Sequence, residues 1–175
     1  DVIWNNDETG YYTIDENSIV LVSTIGKKDK KILSSEDVKN KKIESFSFSQ
    51  DKKNVLIFTN SVRVWRYNTR GNYWVYNLKT KQGKRLGSTL PDRSLMFAKF
   101  SPNGEKIAYV SKEIIPNSFR NSSTRANIYL ETIEDNSIVK LTESDEKGKI
   151  INGTFDWVYE EEFSCRDGFL FNDNS

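Results

Sequence analysis

Short runs of β-branched and aromatic residues, broken at close intervals by turn residues, cover most of the chain. Gly10 to Ile14, Ser18 to Thr24 and Lys30 to Leu33 are the first three. Asp15-Glu16-Asn17 and Gly26-Lys27-Lys28-Asp29 separate them, and these residue types suit the backbone of a turn. Ile43 to Asp51 alternates apolar and polar side chains, the period of a half-buried strand. Val55 to Thr59, Tyr73 to Leu78 and Lys84 to Leu86 follow. Leu95 to Phe100, Lys106 to Val110, Asn127 to Leu130 and Ile138 to Leu141 then repeat the series. No apolar stripe at helical spacing interrupts it, and only the stretch from Asp156 to Phe163 could form a short turn of helix.

The recurrence is an internal repeat. Phe46-Ser47-Phe48-Ser49-Gln50-Asp51 matches Ala98-Lys99-Phe100-Ser101-Pro102-Asn103, and an apolar strand follows each. Phe48 and Phe100 stand 52 positions apart. A third copy starts at Gly168-Phe169-Leu170-Phe171-Asn172-Asp173-Asn174 and breaks off. Four strands per unit of roughly 50 residues, with a repeated aromatic-Ser turn, is the pattern of a β-propeller blade. A β-sandwich is the competing architecture, because its hairpins alternate too. The propeller reading places Phe48 and Phe100 in equivalent, buried inner positions.

The fold expected is therefore all-β: a partial β-propeller of about three four-stranded antiparallel blades, with a short helical turn at the acidic stretch. Propellers close with about 4 to 8 blades, and 175 residues hold only about 3.4 such units. Residues 1–175 are thus expected to form part of a propeller domain, entering and leaving within blades. An open arc would leave two sheet edges unpaired. A piece of a longer polypeptide is the reading that fits.

Chemistry concentrates in Asp156-Trp157-Val158-Tyr159-Glu160-Glu161-Glu162-Phe163. A run of acids is often no more than a solvated face. Here three carboxylates stand among Trp157, Tyr159 and Phe163, aromatics that would be expected to pack. Burial beside apolar surface and mutual repulsion both disfavour ionised carboxylates, and an outside cation relieves both. The stretch reads as a site for a ligand ammonium or guanidinium.

Composition narrows the classes. Lys and Arg total 26 against 25 Asp and Glu, so nothing electrostatic argues for nucleic acid or a membrane surface. Cys165 is the single cysteine, which excludes an internal disulfide and a metal site built on cysteine. No run is apolar and long enough to span a bilayer as a helix. Histidine is absent, so neither a Ser-His-Asp triad nor a His-based zinc site can be completed within these residues. No G-x-S-x-G elbow, P-loop or G-x-G-x-x-G is present either. If the protein is a hydrolase, its chemistry lies elsewhere in the polypeptide.

Two loops exceed the minimal repeat. Asn60 to Asn72 carries Val64-Trp65-Arg66-Tyr67, in which an aromatic bracket would hold a guanidinium by stacking. Glu113 to Ala126 is polar and reads as a solvated surface loop. Asn121-Ser122-Ser123 and Asn152-Gly153-Thr154 fit the glycosylation acceptor pattern, which matters only in a eukaryotic secretory cell.

The run from Asn152 to Phe163, Asn152-Gly153-Thr154-Phe155-Asp156-Trp157-Val158-Tyr159-Glu160-Glu161-Glu162-Phe163, resembles the double-glutamate region of the dipeptidyl peptidase IV family. Members are serine exopeptidases with an N-terminal propeller and a C-terminal α/β-hydrolase domain. Trp65-Arg66 and the stretch from Phe100 to Val110, which opens Phe100-Ser101-Pro102-Asn103-Gly104, resemble the same propeller. The resemblance runs from about Trp4. The Glu113 to Ala126 loop is longer than usual, and Phe171-Asn172-Asp173-Asn174 lacks the Trp-Ser-Pro-Asp/Asn turn.

The resemblance implies that Glu161 and Glu162 bind the free α-ammonium of a peptide, and that Arg66 binds the adjacent carbonyl oxygen. Glu160 becomes the flanking acid; from the residues alone, any two of the three could serve. It further implies a serine-type dipeptidyl peptidase that removes N-terminal dipeptides, typically after Pro or Ala. The catalytic Ser, Asp and His would lie in a C-terminal hydrolase domain absent from this chain. The implied partners are a peptide substrate with a free N-terminus, that hydrolase domain, and a second copy in a homodimer. No cofactor or metal is implied, and the expected location is periplasmic, extracellular or cell-surface. A non-catalytic propeller interaction module, or a peptidase-like homologue without activity, stays open.

Overall fold

The computed structural model describes residues 2–7, 9–64, 67–114, 124–144 and 150–172. Its strands fall into three antiparallel meanders of four. The first is β1 (Ile3–Trp4), β2 (Gly10–Asp15), β3 (Ser18–Ser23) and β4 (Lys30–Leu33), hydrogen-bonded in chain order. The second is β5 (Ser45–Phe48), β6 (Asn54–Val64), β7 (Tyr67–Asn77) and β8 (Gly83–Arg85). The third is β9 (Leu95–Phe100), β10 (Lys106–Ile114), β11 (Thr124–Thr132) and β12 (Ile138–Lys140). One pair, Gly71 with Leu95, joins β7 to β9 and links the second and third meanders. Among the described residues one helix, α1 (Trp157–Glu162), follows.

The core explains why Val55-Leu56-Ile57-Phe58 is apolar without interruption. Val55 and Ile57 pack toward the first meander, in a cluster with Tyr12, Ile19, Leu33 and Phe46. Leu56 turns the other way, into a cluster with Leu95, Ile107, Tyr109 and Tyr129 of the third. On β7, Tyr76 joins the first cluster and Val75 the second. Successive side chains of a strand point to opposite faces, so a sheet buried on both faces needs apolar residues at every position. A two-sheet sandwich has one shared core; here the middle meander carries a core on each face, as stacked blades do.

The repeat is visible in the hydrogen bonds. Phe48 pairs with Val55 and Phe100 with Ile107, the same spacing in both meanders. Ser49 Oγ bonds Asp51 Oδ1 at 2.7 Å and accepts from Asn54 N at 3.0 Å. Ser101 Oγ repeats this with Asn103 Oδ1 at 2.7 Å and Lys106 N at 3.0 Å. Phe48 and Phe100 are equivalent as expected, but both are half-buried rather than buried. The deep residues are the serines, 1% and 2% exposed, because the turn folds over its own hydroxyl.

Two further expectations change. Asn60 to Asn72 is not a loop, since β6 runs to Val64 and β7 starts at Tyr67. Register shifts after Thr59 and Val62 let the ladder continue, with Asn60 in the left-handed region at φ 55°. Arg93 donates to the carbonyls of Asn60 and Ser61 at 3.1 and 3.2 Å, which steadies the irregularity. Trp65 and Arg66 lie outside the described residues. Likewise β10 extends to Ile114 and β11 begins at Thr124, while residues 115–123, with Asn121-Ser122-Ser123, lie outside the description. In the third repeat copy, residues 168–172 form no strand, and Asp173 and Asn174 are not described.

Candidate functional site

The acidic stretch folds as α1 because Asp156 caps it. The Asp156 carboxylate accepts from Val158 N at 2.9 Å and Tyr159 N at 3.1 Å, satisfying two amides that have no partner within the helix. At the far end, Phe163 N and Cys165 N both donate to Tyr159 O, at 3.2 and 3.1 Å. Glu161 and Glu162 occupy the last turn, which holds no basic residue. The carbonyl end of a helix carries partial negative charge, so acids placed there are disfavoured until a cation arrives.

The aromatics do not pack as the sequence suggests. Trp157 is 64% and Phe163 66% exposed, Tyr159 and Phe155 are also exposed, and α1 buries no residue. A six-residue helix that buries none of its own residues offers too little surface to cover them. They shelter one another instead: Phe155, Tyr159 and Phe163 follow at four-residue steps, with centroids 5.5 and 5.7 Å apart.

The three acids differ in surroundings. Glu160 and Glu161 are half-buried and Glu162 is exposed. The Glu160 charge acts on Lys112 of β10. Burial and the Arg70 charge lower the Lys112 pKa, and Glu160 opposes them. Arg70 Nε is itself buried without a hydrogen-bond partner among the described residues. The influence of Glu160 on Lys112 was not legible in the sequence, since Lys112 sits 48 positions upstream on a separate strand.

A neck holds the loop that carries α1. Ile151 bridges Ala126 in parallel, and Asn152 N donates to Ala126 O at 3.0 Å. Asn152 Nδ2 donates to Asn127 Oδ1 at 3.1 Å, so the amide of that acceptor sequence is already engaged. Gly153 then lies flat on the sheet at φ 76°; a Cβ there would meet Val110 Cγ2 at 2.6 Å and Ile128 Cγ1 at 2.8 Å. Thr154 bridges Asp167, and Gly168 N donates to Gly153 O at 3.0 Å, closing the loop. From β9, Lys99 Nζ pairs with the Asp167 carboxylate, donates to Phe169 O at 2.9 Å and lies 4.3 Å from the Phe169 ring centroid.

Of the expected site residues, Glu161 and Glu162 stand together on α1, and Arg66 is not described. Its neighbour Tyr67, which pairs with Val64 at the end of the β6–β7 hairpin, is in contact with the acidic loop. The Arg166 guanidinium stacks 3.7 Å from the Tyr67 ring centroid. Between hairpin and loop lies a cavity of about 470 Å³, lined by Ser45, Phe58, Thr69, Tyr73, Phe97, Ser164, Arg166 and Asp167. Burial pushes the Tyr73 phenol up to about 12, so it stays a neutral donor at ordinary pH.

Comparison with known proteins converges on one family. Residues 49–175 match the dipeptidyl peptidase IV (DPP IV) N-terminal region. Dipeptidyl aminopeptidase B of Saccharomyces cerevisiae is 33% identical over 123 residues, 70% of this chain and 13% of the relative. Human prolyl endopeptidase FAP is 30% identical over 159 residues, 91% of this chain and 19% of the relative. The chain thus spans under a fifth of the length of these relatives. Porphyromonas gingivalis dipeptidyl peptidase 4 shares the fold, with a TM-score of 0.74 at 23% identity over 95% of this chain and 22% of that structure. By its all-β antiparallel architecture and by the match over residues 49–175, this chain belongs to the dipeptidyl peptidase IV family, as part of the N-terminal region.

Proposed function

We propose that this chain is the substrate-recognition part of a serine-type dipeptidyl peptidase, anchoring the free amino terminus of a peptide. Glu161 and Glu162 take the α-ammonium, and Arg66 takes the neighbouring carbonyl oxygen. The observation that carries this is the pair of consecutive carboxylates in the last turn of α1, an end with no basic residue of its own. An ammonium has three donors and, away from water, needs several acceptors, which two carboxylates supply. The Arg166–Tyr67 contact supports the Arg66 assignment, because it joins the hairpin bearing Arg66 to the same loop.

Anchoring the amine turns the site into a ruler. An extended residue spans about 3.3–3.6 Å, so two residues set the scissile carbonyl roughly 7 Å from the ammonium. A serine held at that distance by a C-terminal hydrolase domain cuts after the second residue, typically Pro or Ala. The parent works as a homodimer in the periplasm, outside the cell or at its surface.

Kinetics of the full-length parent on a Xaa-Pro chromogenic dipeptide test the reading. Truncating one partner of a desolvated charge pair costs about 2–5 kcal/mol. Glu161→Ala or Glu162→Ala should then lower kcat/KM by about 30-fold to several thousand-fold. Activity should fall on the alkaline side as the substrate amine, with a reference pKa of about 7.7–8.0, loses its proton. Equal cleavage of N-acetylated and free substrates would defeat the anchor and favour an endopeptidase. So would full kcat/KM in both variants.

A further inference from the structure

We propose that Lys99 is a positioning residue for the acidic helix, acting through the neck of its loop and not by touching substrate. The inference rests on the reading that Glu161 and Glu162 bind an ammonium.

Something must hold α1 in place, and its own packing does not. The helix has six residues and buries none of them. Isolated helices of that length are unstable in water. The limb that leaves the helix runs beside the cavity of about 470 Å³, which separates Ser164, Arg166 and Asp167 from Phe58, Tyr73 and Phe97. Close packing therefore does not seat it on this side.

The two sides of the neck are fixed differently. The entering side is bonded to the sheet by backbone, through the Ile151–Ala126 bridge and Asn152 N, with Gly153 pressed on Val110 and Ile128. The leaving side meets the sheet through Lys99. Its ammonium holds Asp167 and Phe169, the two residues that flank Gly168, where the neck closes. The Asp167 side chain is 42% exposed, so water partly screens the ion pair, whereas the bond to Phe169 O is part-buried. The Phe169 ring packs against the cluster of Met96, Val110 and Ala126, so Lys99 ties the limb to a rigid part of the core. Elsewhere on the loop the Arg166 guanidinium stacks on Tyr67, and the Glu160 charge acts on Lys112; neither lies at the neck.

Removing the Lys99 cation takes away the ion pair to Asp167 and the bond to Phe169 O, after which the leaving limb is held by the Phe169 ring and the Gly168–Gly153 bond. A displacement of about 1 Å far from the chemistry can cost up to about 100-fold. An anchor that grips the ammonium equally in the ground and transition states puts its loss into KM.

The test uses the full-length parent with Lys99→Met and Lys99→Arg, a free-amine Xaa-Pro chromogenic dipeptide, and hydrogen exchange of the loop. Lys99→Met should raise KM about 10- to 100-fold with kcat within about threefold. Exchange should quicken at residues 154–167 and stay unchanged in β10 and β11. Lys99→Arg, which keeps the charge and its donors, should move both readouts back toward wild type. Where the parent prefers free-amine substrates, an unchanged KM in Lys99→Met overturns the proposal, even if the loop loosens. So do equal losses in both variants with faster exchange across β9 to β11, the sign of general destabilisation. If the parent cleaves acetylated and free substrates alike, the amine-anchor reading fails, and the exchange measurement still decides Lys99. Loosening confined to 154–167 then supports the clamp; no loosening overturns it.

Discussion

Asp51 and Asn103 occupy the same place in two copies of one turn, yet only Asp51 can titrate. Hydrogen bonds from Lys53 N and the Ser49 hydroxyl, with the Lys53 ammonium beside it, lower the Asp51 pKa to about 2. A folded pKa below the ordinary 3.8 means stability that is present above about pH 4 and lost as pH falls toward 2. Asp51→Asn should flatten that acid-side slope while preserving the turn, since Asn103 makes the same bond to its serine. Chemical denaturation at pH 4 and pH 2 checks it, and parallel slopes in both proteins would contradict it. At this scale the sequence shows the matched serines and aromatics, but not their depth. The hydroxyls are buried because their partners are in the turn itself, whereas each phenylalanine lies at a strand end that its neighbours only partly cover.

The acidic loop is an element whose shape was half legible. The stretch from Asp156 to Phe163 is expected to form a short turn of helix, and α1 is one. The aromatic content suggests burial, and the opposite holds: α1 buries no residue, and Phe155, Tyr159 and Phe163 pack on one another. What fixes the loop is its neck, and there Gly153 is required. Gly153→Ala would place a methyl 2.6 Å from Val110 Cγ2 in a backbone region that disfavours a side chain. The cost should be about 2–4 kcal/mol, from overpacking and strain together, read as a lower midpoint in thermal unfolding. Faster hydrogen exchange should accompany it at residues 154–167. A wild-type midpoint would show that the sheet beneath yields easily.

At the scale of the whole chain, the absence of histidine and of a nucleophile motif leads to a plain expectation: the 175 residues alone hydrolyse no peptide bond. Turnover of a Xaa-Pro substrate by the purified chain, with contaminating peptidase excluded, would overturn it. The two relatives are each about five times as long as this chain. By itself the sequence determined the strands, the repeated serine turn and the acidic motif, because each is set by period or by residues a few positions apart. The stacking of the meanders decided the rest. It buries both faces of β6 and β7, carries the hairpin past Thr59, and brings Tyr67 to Arg166. It also brings Lys99 to Asp167 across 68 positions, a contact no local pattern specifies, because it depends on where separately folded strands come to lie against each other.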